Sequence, residues 1–94
     1  MSAMDRRSPV EPRRVELRYA VILEPEPDGS AYNVIVPALP EAHTWGSTVE
    51  EALAMAREAI ALCVEERRAQ GEQLPPSDAA TVRFETVAIS VPAA

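Results

Sequence analysis

A chain of 94 residues has room for one domain, a sheet and a covering helix, because a protein this small buries only about 60–65% of its unfolded surface. Its net charge of -6, from 15 acidic residues against 9 basic ones that are all arginine, argues against generic nucleic-acid binding and suits a basic protein partner. A single cysteine excludes an intramolecular disulfide or a cysteine-based zinc site, while the lack of a signal-peptide core or a long apolar run points to a cytoplasmic protein without a membrane span.

Residues 1–14 carry Arg6, Arg7, Arg13 and Arg14 around Pro9 and Pro12 and show no apolar period. They read as a flexible basic tail, leaving residues 15–92 as a single domain. A DNA-binding role for this arm is the one nucleic-acid reading available, and the acidic body opposes it.

Over residues 15–23 the side chains Val15, Leu17, Tyr19, Val21 and Leu23 alternate with Glu16, Arg18, Ala20 and Ile22, the period of a strand with one buried face. Pro25, Pro27 and Asp28-Gly29 then stop the strand and turn the chain. Alternation resumes over residues 31–36, with Tyr32, Val34 and Val36 on one side and Asn33 and Ile35 on the other, so an antiparallel hairpin is expected. Pro37, Pro40 and their neighbours break it, and His43-Thr44-Trp45-Gly46 is long enough for a short third strand only.

Ser47-Thr48-Val49-Glu50-Glu51 has the form of a capping box, with either Ser47 and Glu50 or Thr48 and Glu51 as the pair. The helix that follows is expected to reach about Gln70 and to stop at Gly71. Its apolar arc, from Val49 and Leu53 through Ala52, Ala56, Ala59, Ile60, Cys63 and Val64 to Met55 and Leu62, is wider than one sheet covers. Met55 and Leu62 at the surplus edge suggest an oligomer interface. Beyond the Gln73-Leu74-Pro75-Pro76-Ser77 connector a last strand is expected over residues 82–91, with a bulge near Glu85-Thr86 because Val82 and Phe84 differ in parity from Val87, Ile89 and Val91. The order β-β-β-α-β describes an α+β domain: an antiparallel sheet of three to four strands with one long helix on one face.

Catalysis finds little support in these residues. Cys63 falls in the buried arc, and His43, the only histidine, has no companion with which to bind metal or activate a nucleophile. A metal-dependent nuclease would have to rest on Glu16, Glu24 and Glu85, none at an apolar-facing position. Gly29, Gly46 and Gly71 are isolated, so no phosphate loop and no cofactor are implied. Trp45 suits an interface or a core equally, while Tyr32 shares the parity of Val34 and Val36.

Taken in order, Asp28-Gly29, Tyr32-Asn33-Val34-Ile35-Val36-Pro37, Leu39-Pro40, Gly46-Ser47-Thr48-Val49-Glu50-Glu51-Ala52-Leu53 and Ala56-Arg57-Glu58-Ala59-Ile60 resemble the HicB-like antitoxin family in sequence and spacing. The connector and last strand extend the resemblance to about three quarters of the chain. It departs where the family often has Pro-Asp-Leu-Pro-Gly-Cys, since Ala38 stands for the aspartate and Glu41-Ala42 for the last two residues. The resemblance implies a truncated RNase-H-like fold without nuclease carboxylates. It also implies binding to a HicA-type toxin, a small mRNA-cleaving protein of double-stranded-RNA-binding fold, whose active surface the antitoxin covers. Many relatives add a C-terminal DNA-binding segment; with none before Ala94, a stand-alone form that does not bind DNA directly is expected.

Neutralisation of such a toxin without catalysis is therefore the expected function, with Tyr32, Leu39, Pro40, His43 and Trp45 at the partner interface. The alternative is an orphan homo-oligomeric module, a dimer or tetramer, with another protein or ligand as partner.

Overall fold

The computed structural model describes residues 14–93. The expected basic tail lies, apart from Arg14, outside the described residues. Strands β1 (Ile22–Pro25), β2 (Tyr32–Ile35) and β3 (Thr44–Gly46) precede one helix, α1 (Val49–Ala69). The sheet has the order β1-β2-β3 with both pairs antiparallel, and α1 packs against β2 and β3. This is the expected α+β arrangement of a three-stranded meander under a single long helix.

Local chemistry sets the connections. Gly29, at φ +75°, closes the β1–β2 turn with its amide donating to the Glu26 carbonyl at 2.8 Å, while the Asp28 carboxylate accepts from the Ser30 amide and hydroxyl. Between β2 and β3 two turns follow in succession: the Leu39 amide donates to the Val36 carbonyl and the Ala42 amide to the Leu39 carbonyl. They tuck Leu39 and Ala42 wholly inside. Of the two candidate capping pairs, the structure uses Thr48 and Glu51. Thr48 Oγ1 accepts from the Glu51 amide at 3.0 Å, and the Glu51 carboxylate reaches back to the Ser47 amide at 2.6 Å. At the far end the Glu72 amide donates to the Arg67 carbonyl and the Gly71 amide to the Arg68 carbonyl, the Schellman arrangement that a left-handed Gly71 permits. The 21 residues of α1 extend about 31 Å at 1.5 Å per residue.

The core lies between helix and sheet and comprises Tyr19, Val34, Val36, Leu39, Ala42, Ala52, Ala56 and Cys63, with Val21, Leu23, Tyr32, Ile60 and Val64 packed at its margin. Alanines and a cysteine on the helix let it come close to the strands. Gly46 does the same from below, since a Cβ there would meet the backbone of Ala52 and Glu51.

Two sequence expectations need correction. The first strand begins at Ile22, not at residue 15, because β2 ends opposite it at Ile35 and the chain then turns away, leaving residues 15–21 outside the sheet. Val15 and Leu17 are accordingly exposed, though Tyr19 reaches the core. The last strand is not formed. The returning chain is fastened at the head of β1, where the Asp78 and Ala79 amides donate to the Arg18 carbonyl, the Ala20 amide donates to Asp78 Oδ1 at 2.7 Å, and the Tyr19 hydroxyl donates to the Pro75 carbonyl at 2.6 Å. A turn then closes as the Thr81 and Val82 amides donate to the Asp78 carbonyl, and residues 82–93 leave the body fully exposed. Alternation in a sequence marks a need for burial; it does not say where the partner edge is.

Candidate functional site

Strand side chains alternate between faces, and the register sorts them here. Val34 is buried under α1, and its partners Leu23 and Thr44 share that face, as do Tyr32 and Gly46. Trp45, Asn33, Glu24, Ile35 and Ile22 therefore belong to the other face, on which the described residues place no helix. Asn33 stands between Trp45 on β3 and Glu24 on β1, and Ile22 faces Ile35.

Trp45 is 58% exposed and outside the core, which settles the choice left open by its sequence in favour of surface. Its direction follows from its neighbour. Gly46 must face the helix because any larger side chain there would collide with the Ala52 backbone, so Trp45 must face away. A large amphipathic ring held on a short strand between two fixed points is suited to recognition at low entropic cost.

The other residues expected at the partner interface fall into two groups. Pro40 and His43 are exposed along the connection that leads into β3 and Trp45. Leu39 is completely buried and offers no surface, because the two successive turns point it inward; it braces that connection instead. Tyr32 is partly buried at the core margin under the helix face. Glu24, Asn33, Ile22 and Ile35 were missed as surface candidates, although Ile35, apolar on the parity opposite Tyr32, Val34 and Val36, is the signal that the second face has a use. On the helix, Met55 and Leu62 are exposed, Leu62 to 66%, and Leu62, Glu65, Glu66 and Ala69 line a shallow open depression.

Electrostatics hold the loop to the helix. Arg67 donates from Nε to Glu41 Oε2 at 2.7 Å and from Nη2 to Glu41 Oε1 at 3.0 Å, a bidentate fork that ties the turn at residues 40–41 to the last turn of α1. Hydrogen bonding to Arg67 keeps the Glu41 carboxyl below its ordinary value. The Asn33 side-chain amide donates to Glu26 Oε2 at 3.2 Å, and Glu24 is the register partner of Asn33, so the helix-free face is bordered by acid.

Bond-breaking chemistry has few means here. Cys63 is buried in α1, and burial first, then Glu41 and Glu66, push its thiol away from the reactive thiolate. Among the described residues no group of three His, Cys, Asp or Glu side chains is placed to hold a metal ion, and no helix is long and apolar enough to cross a membrane.

Comparison with known proteins agrees with this architecture. Residues 19–88 match the model of a family described as HicB_like antitoxin of bacterial toxin-antitoxin system. A UPF0150 protein of Thermoplasma acidophilum is 40% identical over 63 residues, covering 67% of this chain and 90% of that protein. One from Synechocystis is 38% identical over 69 residues, covering 73% and 85%. Antitoxin HicB 1 of Photorhabdus laumondii is 44% identical over 59 residues, which is 63% of this chain but only 37% of that protein. In three dimensions the crystal structure of the N-terminal domain of Burkholderia pseudomallei antitoxin HicB superposes with a TM-score of 0.54 at 28% identity, covering 76% of this chain and 95% of that domain.

Proposed function

Because the chain belongs to the HicB-like antitoxin family of bacterial toxin-antitoxin systems, we propose that it neutralises a small HicA-type mRNA-cleaving ribonuclease by covering its active surface, and that it catalyses nothing itself. Trp45 carries the reading. It is a large, exposed aromatic ring on the helix-free face, bordered by Glu24 and Glu26, in a chain of net charge -6. A nuclease that grips RNA must present cations, and an acidic face with an aromatic anchor complements such a surface in both charge and contact. Pro40 and His43 extend the contact along the connection that Leu39 and the Arg67–Glu41 pair hold in place.

The protein acts in the cytoplasm on this reading, where its target cleaves mRNA. The exposed Met55 and Leu62 edge of α1 supplies a contact between copies in a homo-oligomer. The truncated RNase-H-like ancestry implied by the family motifs fits a meander followed by a helix, with the fold retained for binding.

Trp45 is the only tryptophan, so its emission reports on its own surroundings. Mixing the chain with a HicA-type toxin should blue-shift that emission as the ring leaves water. An unchanged spectrum in a complex that demonstrably forms would place the interface elsewhere.

A further inference from the structure

On the sheet face that carries no helix, Trp45 pairs with Asn33 and Asn33 with Glu24, so a ring, an amide and a carboxylate stand in one row across the three strands. Neighbours in such a row have Cβ atoms about 4.5–5.5 Å apart, which sets Trp45 and Glu24 about 10 Å from each other with Asn33 between them. Trp45 and Glu24 are exposed, and Asn33 is half-buried. None of the register positions on this face is a cation.

The Asn33 amide has a set orientation. Its Nδ2 donates to Glu26 Oε2 at 3.2 Å, and a carboxylate accepts only from the nitrogen end of an amide. Glu26 thereby holds Asn33 with its Oδ1 as the end left to take a donor. Among the described residues, neither Asn33 Oδ1 nor the Glu24 carboxylate has a hydrogen-bond or ion-pair partner. The row therefore offers a π face, a carbonyl oxygen and a carboxylate, all of which attract positive charge.

We propose that Trp45, Asn33 and Glu24 form the seat for a single arginine side chain of the protein partner. The inference rests on the reading that this face meets a HicA-type toxin and names the group that the face takes. A planar guanidinium stacks flat on an indole while its edge N–H groups reach separate acceptors, whereas the ammonium of lysine is a compact, strongly hydrated point charge. Ile22 and Ile35, paired and half-buried two residues along the same face, give the arginine's methylene stem an apolar track. Charge selects such a partner over a second copy. The chain carries a net charge of -6, and the same face of another copy would set Glu24 and Glu26 against like charges.

The test is calorimetric titration of a HicA-type toxin with the full chain. Glu24→Gln, which keeps the shape and removes the charge, should weaken binding about tenfold, and Trp45→Leu about 30-fold. The double variant should lose less than the product of the two, because both side chains act on one group. Replacing the toxin's arginines by alanine one at a time should find one whose loss weakens binding to the wild-type chain and hardly affects the double variant; lysine at that position should not restore binding. Glu58→Gln, exposed on α1, should leave binding unchanged. Absence of binding, or binding that every variant of this face leaves unchanged, would overturn the reading of the face and the seat with it. Weakening by Trp45→Leu without any by Glu24→Gln, or full recovery with lysine, would leave the face as the interface and overturn the arginine seat. A change in the solution mass of the chain alone on Glu24→Gln would give the face to a second copy and overturn it as well.

Discussion

Gly46 lies directly under the backbone of Ala52: a Cβ placed on it would stand 2.6 Å from the Ala52 Cα and 2.8 Å from the Glu51 carbonyl carbon. The helix backbone cannot move aside as a flexible side chain can. Gly46→Ala should therefore destabilise the fold by about 1–3 kcal/mol or more through overpacking. Because the same contact sets which way Trp45 faces, thermal unfolding together with Trp45 emission checks it, and an unshifted melting temperature would show that sheet and helix are not this close.

Leu39 tests whether the β2–β3 connection is a packed element. Its side chain is fully buried among Val34, Val36 and Ala42, so Leu39→Ala should lower stability by about 2–5 kcal/mol, while Pro40→Ala beside it, at an exposed position, should change little. Denaturant midpoints of the two variants compare them directly.

The helix was legible in the sequence almost to the residue, because its start and stop are local chemistry: Thr48 and Glu51 at one end, Gly71 at the other. The alternation of Tyr32, Val34 and Val36 likewise placed two of the three residues in the core. Leu39 was not legible, since a segment flanked by prolines looks like an exposed loop and only the two turns reveal that it points inward. Trp45 was ambiguous because a strand of three residues is too short to phase by itself; the phase comes from Gly46 and its contact with Ala52. The final strand failed because alternation marks a face that needs burial without saying which edge would pair with it.

Acid should weaken the fold through carboxylates bound in the native state. Hydrogen bonds from Arg67 lower the Glu41 carboxyl, and those from the Ser47 hydroxyl and amide lower that of Glu51, each from an ordinary value of 4.5 that applies in the unfolded chain. Ionisation thus favours folding. The contribution is complete above the unfolded value and disappears as pH falls through the lower folded values. Melting temperature should be flat near neutrality and decline from about pH 5 downward, with a smaller decline in high salt because both groups are exposed. Glu41→Gln should flatten the profile; an identical profile would remove the Arg67 link from the account.

Cys63 should behave as a core residue. With 8% of its surface exposed and its thiol raised by burial, it should react with a thiol reagent at neutral pH far more slowly than a free cysteine, and promptly once the chain is denatured. Rapid labelling of the native protein would contradict the packing of α1 on the sheet.

The claim that the helix-free face silences a ribonuclease is tested most directly by RNA cleavage. A HicA-type toxin is titrated with the full chain and with its Trp45→Ala variant, whose ring packs in no core and whose fold should persist. Cleavage should cease near equimolar wild-type chain, and the variant should need roughly 30-fold more, corresponding to an anchor of about 2 kcal/mol. Undiminished cleavage in excess wild-type chain, or equal inhibition by the variant, would contradict the account.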